Sequence, residues 1–308
     1  MAWIKKGCIY KPAGEISWVK SHAQIPTALV LEDRIRVYIG VRPEQQKSLT
    51  VFLDLDIKDP SRILYIHQEP ILECGGPGEF DQFGVMPSHA MHVGDEVWLY
   101  YGGWNRGYQI PNYVAIGLAV SCDGGKSFTK RFKGPLLSAN RHHPHAIMSP
   151  HIRREGDIWH LWYGATTAWK EIDGRFEQTY NIFYGRSNNG IDWHLSDEPC
   201  VPGRDANECT IRPAVLVENG LYHMWFSHRQ NQDYYGGDGS YRMGYATSKD
   251  GIFWQRNDSA AGIDLSASGW DSKMMSYPSI VDTPYGRYMF YNGNDFGIEG
   301  FGYAVWQV

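Results

Sequence analysis

Several familiar signatures are missing from this chain. Its five cysteines, Cys8, Cys74, Cys122, Cys200 and Cys209, are odd in number and contain no CxxC pair. That excludes a disulfide framework or a zinc ribbon, and reduced thiols in a cytoplasmic protein are expected. No window approaches the ~18 apolar residues of a membrane span. Met1-Ala2-Trp3-Ile4-Lys5-Lys6 has no apolar signal core, so no membrane partner is expected. Lys and Arg total 29 against 34 Asp and Glu, for a net charge of −5. No basic surface for nucleic acid is implied.

What is abundant is aromatic residues and glycine. Twenty Tyr, twelve Trp and thirty-four Gly within 308 residues suit many short strands joined by tight turns. Five prolines each open an apolar run. They are Pro26, Pro87, Pro150, Pro213 and Pro278, at intervals of 61, 63, 63 and 65 residues. A period that regular is the mark of a repeat architecture. Within each repeat a second strand follows, at 35–40, 97–102, 159–164, 222–227 and 288–293. After a variable loop comes a third, at 115–120, 182–186, 243–247 and 301–305 in repeats two to five. Tight turns then stand in repeats two to four, at Ser121-Cys122-Asp123-Gly124, Ser187-Asn188-Asn189-Gly190 and Ser248-Lys249-Asp250-Gly251. Asp-Gly and Asn-Gly between strands favour hairpins because these residues tolerate positive φ. A fourth strand starts at Phe128, Trp193 or Trp254.

Four antiparallel strands in each of five units predict an all-β, five-bladed β-propeller, read as a single domain over residues 1–308. Two stacked β-sandwiches are the rival arrangement. The fifth unit ends after its third strand, whereas Trp3-Ile4-Lys5-Lys6 reads like Phe128-Thr129-Lys130-Arg131. The N-terminal strand is therefore expected to complete the last blade and leave no open edge. The sandwich arrangement does not predict that complementarity.

The pattern resembles the five-bladed glycoside hydrolases (arabinanases, xylosidases, invertases and levansucrases) and the related mannoside phosphorylases. The resemblance spans nearly the whole chain. It is carried by the Ser-x-Asp-Gly turns, by Phe80-Asp81-Gln82-Phe83-Gly84-Val85, and by Trp270-Asp271 with Tyr288-Met289-Phe290-Tyr291-Asn292-Gly293. The first turn also resembles a sialidase Asp-box, which is a structural turn and speaks for fold alone. The resemblance implies carboxylate acid/base chemistry on a glycosidic bond in the central funnel. Glu208-Cys209 is similar to the Glu-Cys of invertases, which makes Glu208 the candidate proton donor. Asp81 and Asp271 are the candidates for base or nucleophile. The alternative for each acid is a rim ion pair or a turn cap. One departure matters: the residues before the five prolines are Ile25, Met86, Ser149, Arg212 and Tyr277, never Asp. The three-acid retaining arrangement of invertases therefore does not transfer.

In a propeller, the loops before each inner strand and those between the second and third strands meet at one mouth. Those loops supply candidate substrate-binding residues: His22, Arg42, Trp104, His143, His145, Trp169, Arg212, Arg229, Tyr277 and Asn294. Amides, arginines and tryptophans suit a polyhydroxylated ligand. The arginines suit a phosphate, a carboxylate sugar or a nucleotide sugar. No cofactor and no metal is called for, and His-x-His at 143–145 is by itself a weak metal signal. The expected partner is a carbohydrate or a sugar-containing small molecule. The expected activity is glycosidase-like. Phosphorolysis and non-catalytic sugar binding are the alternatives.

Overall fold

The computed structural model describes residues 2–44 and 47–307. It has five four-stranded antiparallel sheets arranged as propeller blades. Blade one comprises Ser21–Val30, Arg34–Arg42, Leu49–Asp56 and Ile63–Ile66. Blade two comprises Gly84–Val93, Glu96–Arg106, Asn112–Ser121 and Thr129–Lys130. Blade three has Ile147–Glu155, Ile158–Ile172, Arg175–Ser187 and His194–Val201. Blade four has Glu208–Glu218, Leu221–Gln230, Arg242–Ser248 and Gln255–Arg256. Blade five is Ser276–Thr283, Gly286–Asn292 and Phe301–Gln307, closed by Ala2–Tyr10. The expected closure is present: Trp3 pairs with Trp306 and Lys5 with Ala304. One expected loop is different. Residues 166–169 extend the second and third strands of blade three into a long hairpin, in which Trp169 pairs with Gln178.

Each blade buries its two faces against its neighbours, so the core is five interblade layers. Val37 and Ile39 of blade one meet Tyr288 and Phe290 of blade five. Trp98 of blade two stacks on Trp159 of blade three at 5.6 Å. Trp225 of blade four meets Trp3 and Trp306 of blade five. The tight turns are also pinned across blades. Tyr38 Oη donates to Gly125 O (2.8 Å), Tyr100 Oη to Gly190 O (3.0 Å) and Trp162 Nε1 to Gly251 O (2.7 Å). An aromatic of one blade thereby satisfies a turn carbonyl of the next, which fixes the blade order as well as the packing.

Within three blades, an acid on the segment entering the inner strand reaches a cation on the outermost strand. Asp81 meets Lys130 Nζ at 2.7 Å and accepts from Tyr101 Oη at 2.9 Å. Asp271 meets Lys5 Nζ at 2.8 Å and accepts from Tyr291 Oη at 3.0 Å. Glu208 takes a two-pronged bond from Arg256 (2.7 and 2.8 Å) and contacts His228 Nδ1 at 3.0 Å. The Arg204 N–H caps the same carboxylate. The three acids are 0%, 2% and 3% exposed. Lys5, Lys130 and Arg256 stand at the same register, each two residues after the aromatic that opens the fourth strand. In blade three Leu195 takes that place. There His143 contacts Tyr163 Oη at 2.7 Å instead. These clasps tie the inner edge of a blade to its outer edge.

Burial alone would raise the Glu208 carboxyl. Bonds from His228, Arg256 and the Arg204 N–H outweigh it and hold the group far below its ordinary 4.5. A depressed folded-state value means the stabilisation is complete above pH 4.5 and is lost as pH falls below it. Glu208→Gln removes one of the two carboxylates on Arg256, leaving Asp258 at 2.8 Å, and should cost about 2 kcal/mol for the lost charge-assisted bonds. Thermal melts should show that gap between wild type and variant narrowing as the pH drops below 4.5. Deleting residues 2–10 should abolish the cooperative melt by circular dichroism, and a synthetic peptide of that segment should restore it. An unchanged melt would mean that the ring closes without this strand.

Candidate sugar-binding funnel

The inner strands form the wall of an axial cavity of about 410 Å³. A bulge on each inner strand shapes it. The ladder register shifts at or next to all five prolines, where a missing N–H breaks the pairing. Four of the preceding residues adopt positive φ: Ile25 (55°), Ser149 (52°), Arg212 (56°) and Tyr277 (60°). Ile25, Met86, Ser149 and Tyr277 line the cavity. Arg212, from blade four, instead crosses the axis. It donates to Ser88 O of blade two and to Pro26 O and Thr27 Oγ1 of blade one, and so forms a floor.

Two further guanidiniums belong to the wall, Arg42 and Arg229. Arg229 donates through Nε to Tyr180 Oη at 2.8 Å and lies over the Tyr234 ring at 3.8 Å. Tyr180 and Tyr241 share a hydroxyl–hydroxyl hydrogen bond. Burial raises Tyr180, Tyr241 and Tyr277 above the usual phenol range, so they remain protonated donors. Arg42 donates to Gln24 Oε1 at 3.3 Å, and its buried Nε has no partner. Burial, with the nearby Arg42 charge, lowers His22 to about 4, so its ring is neutral at physiological pH. Burial likewise lowers Arg212 to about 9. Among the described residues, none of these three arginines forms an ion pair. Among the described residues, no Asp or Glu lines the cavity.

Of the residues singled out in the sequence, the cavity brings together His22, Arg42, Trp104, Arg229 and Tyr277. His145 and Trp169 line a separate cavity between blades two and three. Arg212 forms the floor, with its side chain against a smaller lower cavity. His143 is buried against Tyr163 and Phe183. Asn294 is spent on the backbone: its Oδ1 accepts from Lys273 N and Met274 N, and its Nδ2 donates to Gly269 O. Glu208, Asp81 and Asp271 lie outside the cavity wall, each held in a clasp within its own blade. The physical reason is the direction of the entering segment. It runs past the end of its own sheet before joining the inner strand, so its acid meets the outer strand rather than the axis.

Other wall residues carried no motif. Gln178, Tyr180 and Tyr241 sit near the start of third strands, and Tyr234 and Tyr235 lie in the long loop between strands two and three of blade four. The adjacent Tyr234-Tyr235 pair, in a loop otherwise polar and glycine-rich, is a sequence signal that could have found that loop. Trp104 depends on a glycine. A Cβ on Gly84 would fall within 1.8 Å of its indole nitrogen. Among the described residues, no cluster of three or more His, Cys, Asp or Glu is placed to hold a metal ion.

No family model matches the chain. Among solved structures, it superposes on a glycoside hydrolase with a TM-score of 0.75 at 14% identity, covering 98% of this chain and 90% of that one. A structure from the GH130 family of mannoside phosphorylases, which contains glycoside hydrolases that target β-1,2 mannosidic linkages in Candida mannan, aligns with a TM-score of 0.71. That match has 12% identity and covers 99% of this chain and 93% of the other. These likenesses are likenesses of fold. In sequence, the chain is 35% identical over 308 residues to the uncharacterized proteins MT1551 and Rv1502 of two Mycobacterium tuberculosis strains, covering 99% of each chain. With that identity along its whole length, the chain belongs to one family with these two mycobacterial proteins, and its fold is the five-bladed propeller of the glycoside hydrolases.

Proposed function

We propose that this propeller binds a glycan bearing an anionic group, a phosphate or a carboxylate, in its axial funnel. One observation carries the reading. Among the described residues, the cavity wall holds Arg42 and Arg229 without ion-pair partners, and no carboxylate. A buried cation is costly unless a counter-charge meets it. A ligand anion supplies that charge, and a guanidinium can bind it through two parallel N–H bonds. Tyr180, Tyr241 and Tyr277 add hydroxyls and ring faces, and Trp104 an indole face, for the sugar. In this reading Glu208, Asp81 and Asp271 hold the blades, and hydrolysis by a carboxylate pair is not the activity. The likeness to glycoside hydrolases and mannoside phosphorylases supports a sugar ligand by analogy of fold.

A second reading, phosphorolysis, is favoured by the Tyr180–Tyr241 hydroxyl pair beside Arg229. Phosphate held by the arginines would attack the anomeric carbon, and a tyrosine hydroxyl would give its proton to the departing sugar oxygen. Release of a sugar 1-phosphate that requires added phosphate would establish it.

Glucuronate and glucose differ by one charge, which makes them a matched pair of probes. Calorimetry should find glucuronate bound at least about tenfold more tightly, as expected for a charge-assisted contact. Arg229→Gln should remove that preference, while Asp81→Asn, once shown to be folded, should keep it. Equal binding of the two sugars would remove the anionic reading. Loss of glycan hydrolysis in a folded Asp81→Asn variant would return the acids to catalysis.

A further inference from the structure

A second cavity of about 440 Å³ lies beside the funnel, between blades two and three. Its character is different. Phe80, Ile110, Val114, Pro135, Ala146 and Trp169 supply much of its wall, so it is largely apolar. The two cavities share wall residues, Asn112 and Val114, both on the third strand of blade two. The partition is weakly held. The Asn112 side chain makes no hydrogen bond among the described residues, and its Oδ1 is buried without a partner. The Val114 side chain makes only dispersion contacts, although its backbone pairs with Trp104 in the sheet. The far wall is firmer, because Trp169 stands on the paired hairpin of blade three.

We infer that the side cavity is a subsite for an apolar aglycone, so that the ligand is a glycoconjugate: an anionic sugar in the funnel joined to an alkyl or aromatic group between blades two and three. The inference deepens the funnel reading and rests on the funnel holding the sugar. An apolar wall rewards removal of hydrocarbon from water and gives nothing to a hydroxyl, which loses its water partners there. A polar, cationic chamber sharing two side chains with an apolar one matches a molecule with those two halves. Asn112 Oδ1, at the boundary, is an acceptor that a sugar hydroxyl at the junction can satisfy.

Two probe series test this: methyl and octyl phosphate, and methyl and octyl β-glucopyranoside. Each methylene that reaches the apolar wall is worth about fourfold in affinity. Octyl probes should therefore bind at least about tenfold more tightly than methyl probes in both series. Ala139→Phe fills the side cavity from an exposed position. It should erase the chain-length gain and leave inorganic phosphate binding, which reads the funnel alone, unchanged. No chain-length gain in either series would overturn the inference, as would a gain that persists in Ala139→Phe. A larger gain from an added sugar unit than from the octyl chain would overturn it too, since the subsite would then be one for glycan. Failure of the phosphates alone, with the glucoside gain intact and sensitive to Ala139→Phe, would strike the anionic charge of the sugar and uphold the apolar subsite.

Discussion

Everything in the funnel depends on a backbone constraint: a proline in each inner strand that cannot donate to the ladder. The strand bulges there, and in four blades the residue before it is forced to positive φ. For Ile25, a β-branched residue, that conformation is strained and persists only because its surroundings hold it. The neighbouring blades supply the hold. Asn292 Oδ1 of blade five accepts the Ile25 N–H at 2.7 Å, and Ser227 Oγ of blade four accepts the Tyr277 N–H at 2.7 Å. The axial residues of one blade are thus positioned by the second strand of the blade before it. Closure of the ring and shape of the cavity are one event.

The same logic separates two kinds of charge. Acids on the entering segments are answered within their own blade, by Lys130, Lys5 and Arg256 on the outer strands. Three arginines on inner and second strands, Arg42, Arg212 and Arg229, have no carboxylate partner among the described residues, unlike Arg36, which pairs with Asp54. Arg42 and Arg229 line the wall, and Arg212 lies across the axis among carbonyls of two other blades. Asp81, Asp271 and Glu208 thus pair with outer strands, whereas Arg42 and Arg229 line the axial cavity. The likeness to glycoside hydrolases is one of architecture and does not by itself fix the chemistry of this chain.

The architecture was largely legible in the sequence. Five prolines at a near-constant spacing, glycine turns and the Trp3–Lys5 echo of Phe128–Lys130 all report local backbone requirements, and each is visible without knowing what lies across the molecule. The echo was more informative than it looked. Lys5 and Lys130 match because both clasp an acid, Asp271 and Asp81. The site was legible only in part. His22, Arg42, Trp104, Arg229 and Tyr277 do converge, although on the ends of inner and second strands rather than in the expected loops. Tyr180 and Tyr241 carry no sequence signal, because each lies just before a third strand expected at 182–186 or 243–247, and only the cross-blade packing brings the two hydroxyls together.

By itself the sequence determined the repeating unit, its number and the strand that closes it. Those follow from short-range rules: alternation along a strand, the missing N–H of proline, and the positive φ that glycine accepts. Only the tertiary structure decided which side chains face the axis. Asp81 and Arg229 are both buried polar groups in a propeller, and nothing local tells them apart. One meets a lysine 49 positions away on its own outer strand, whereas the other stacks on Tyr234 and lines the axial cavity. The difference arises because a bulge or an entering segment sets the direction of a side chain, and its partner is whatever ring closure brings to that point.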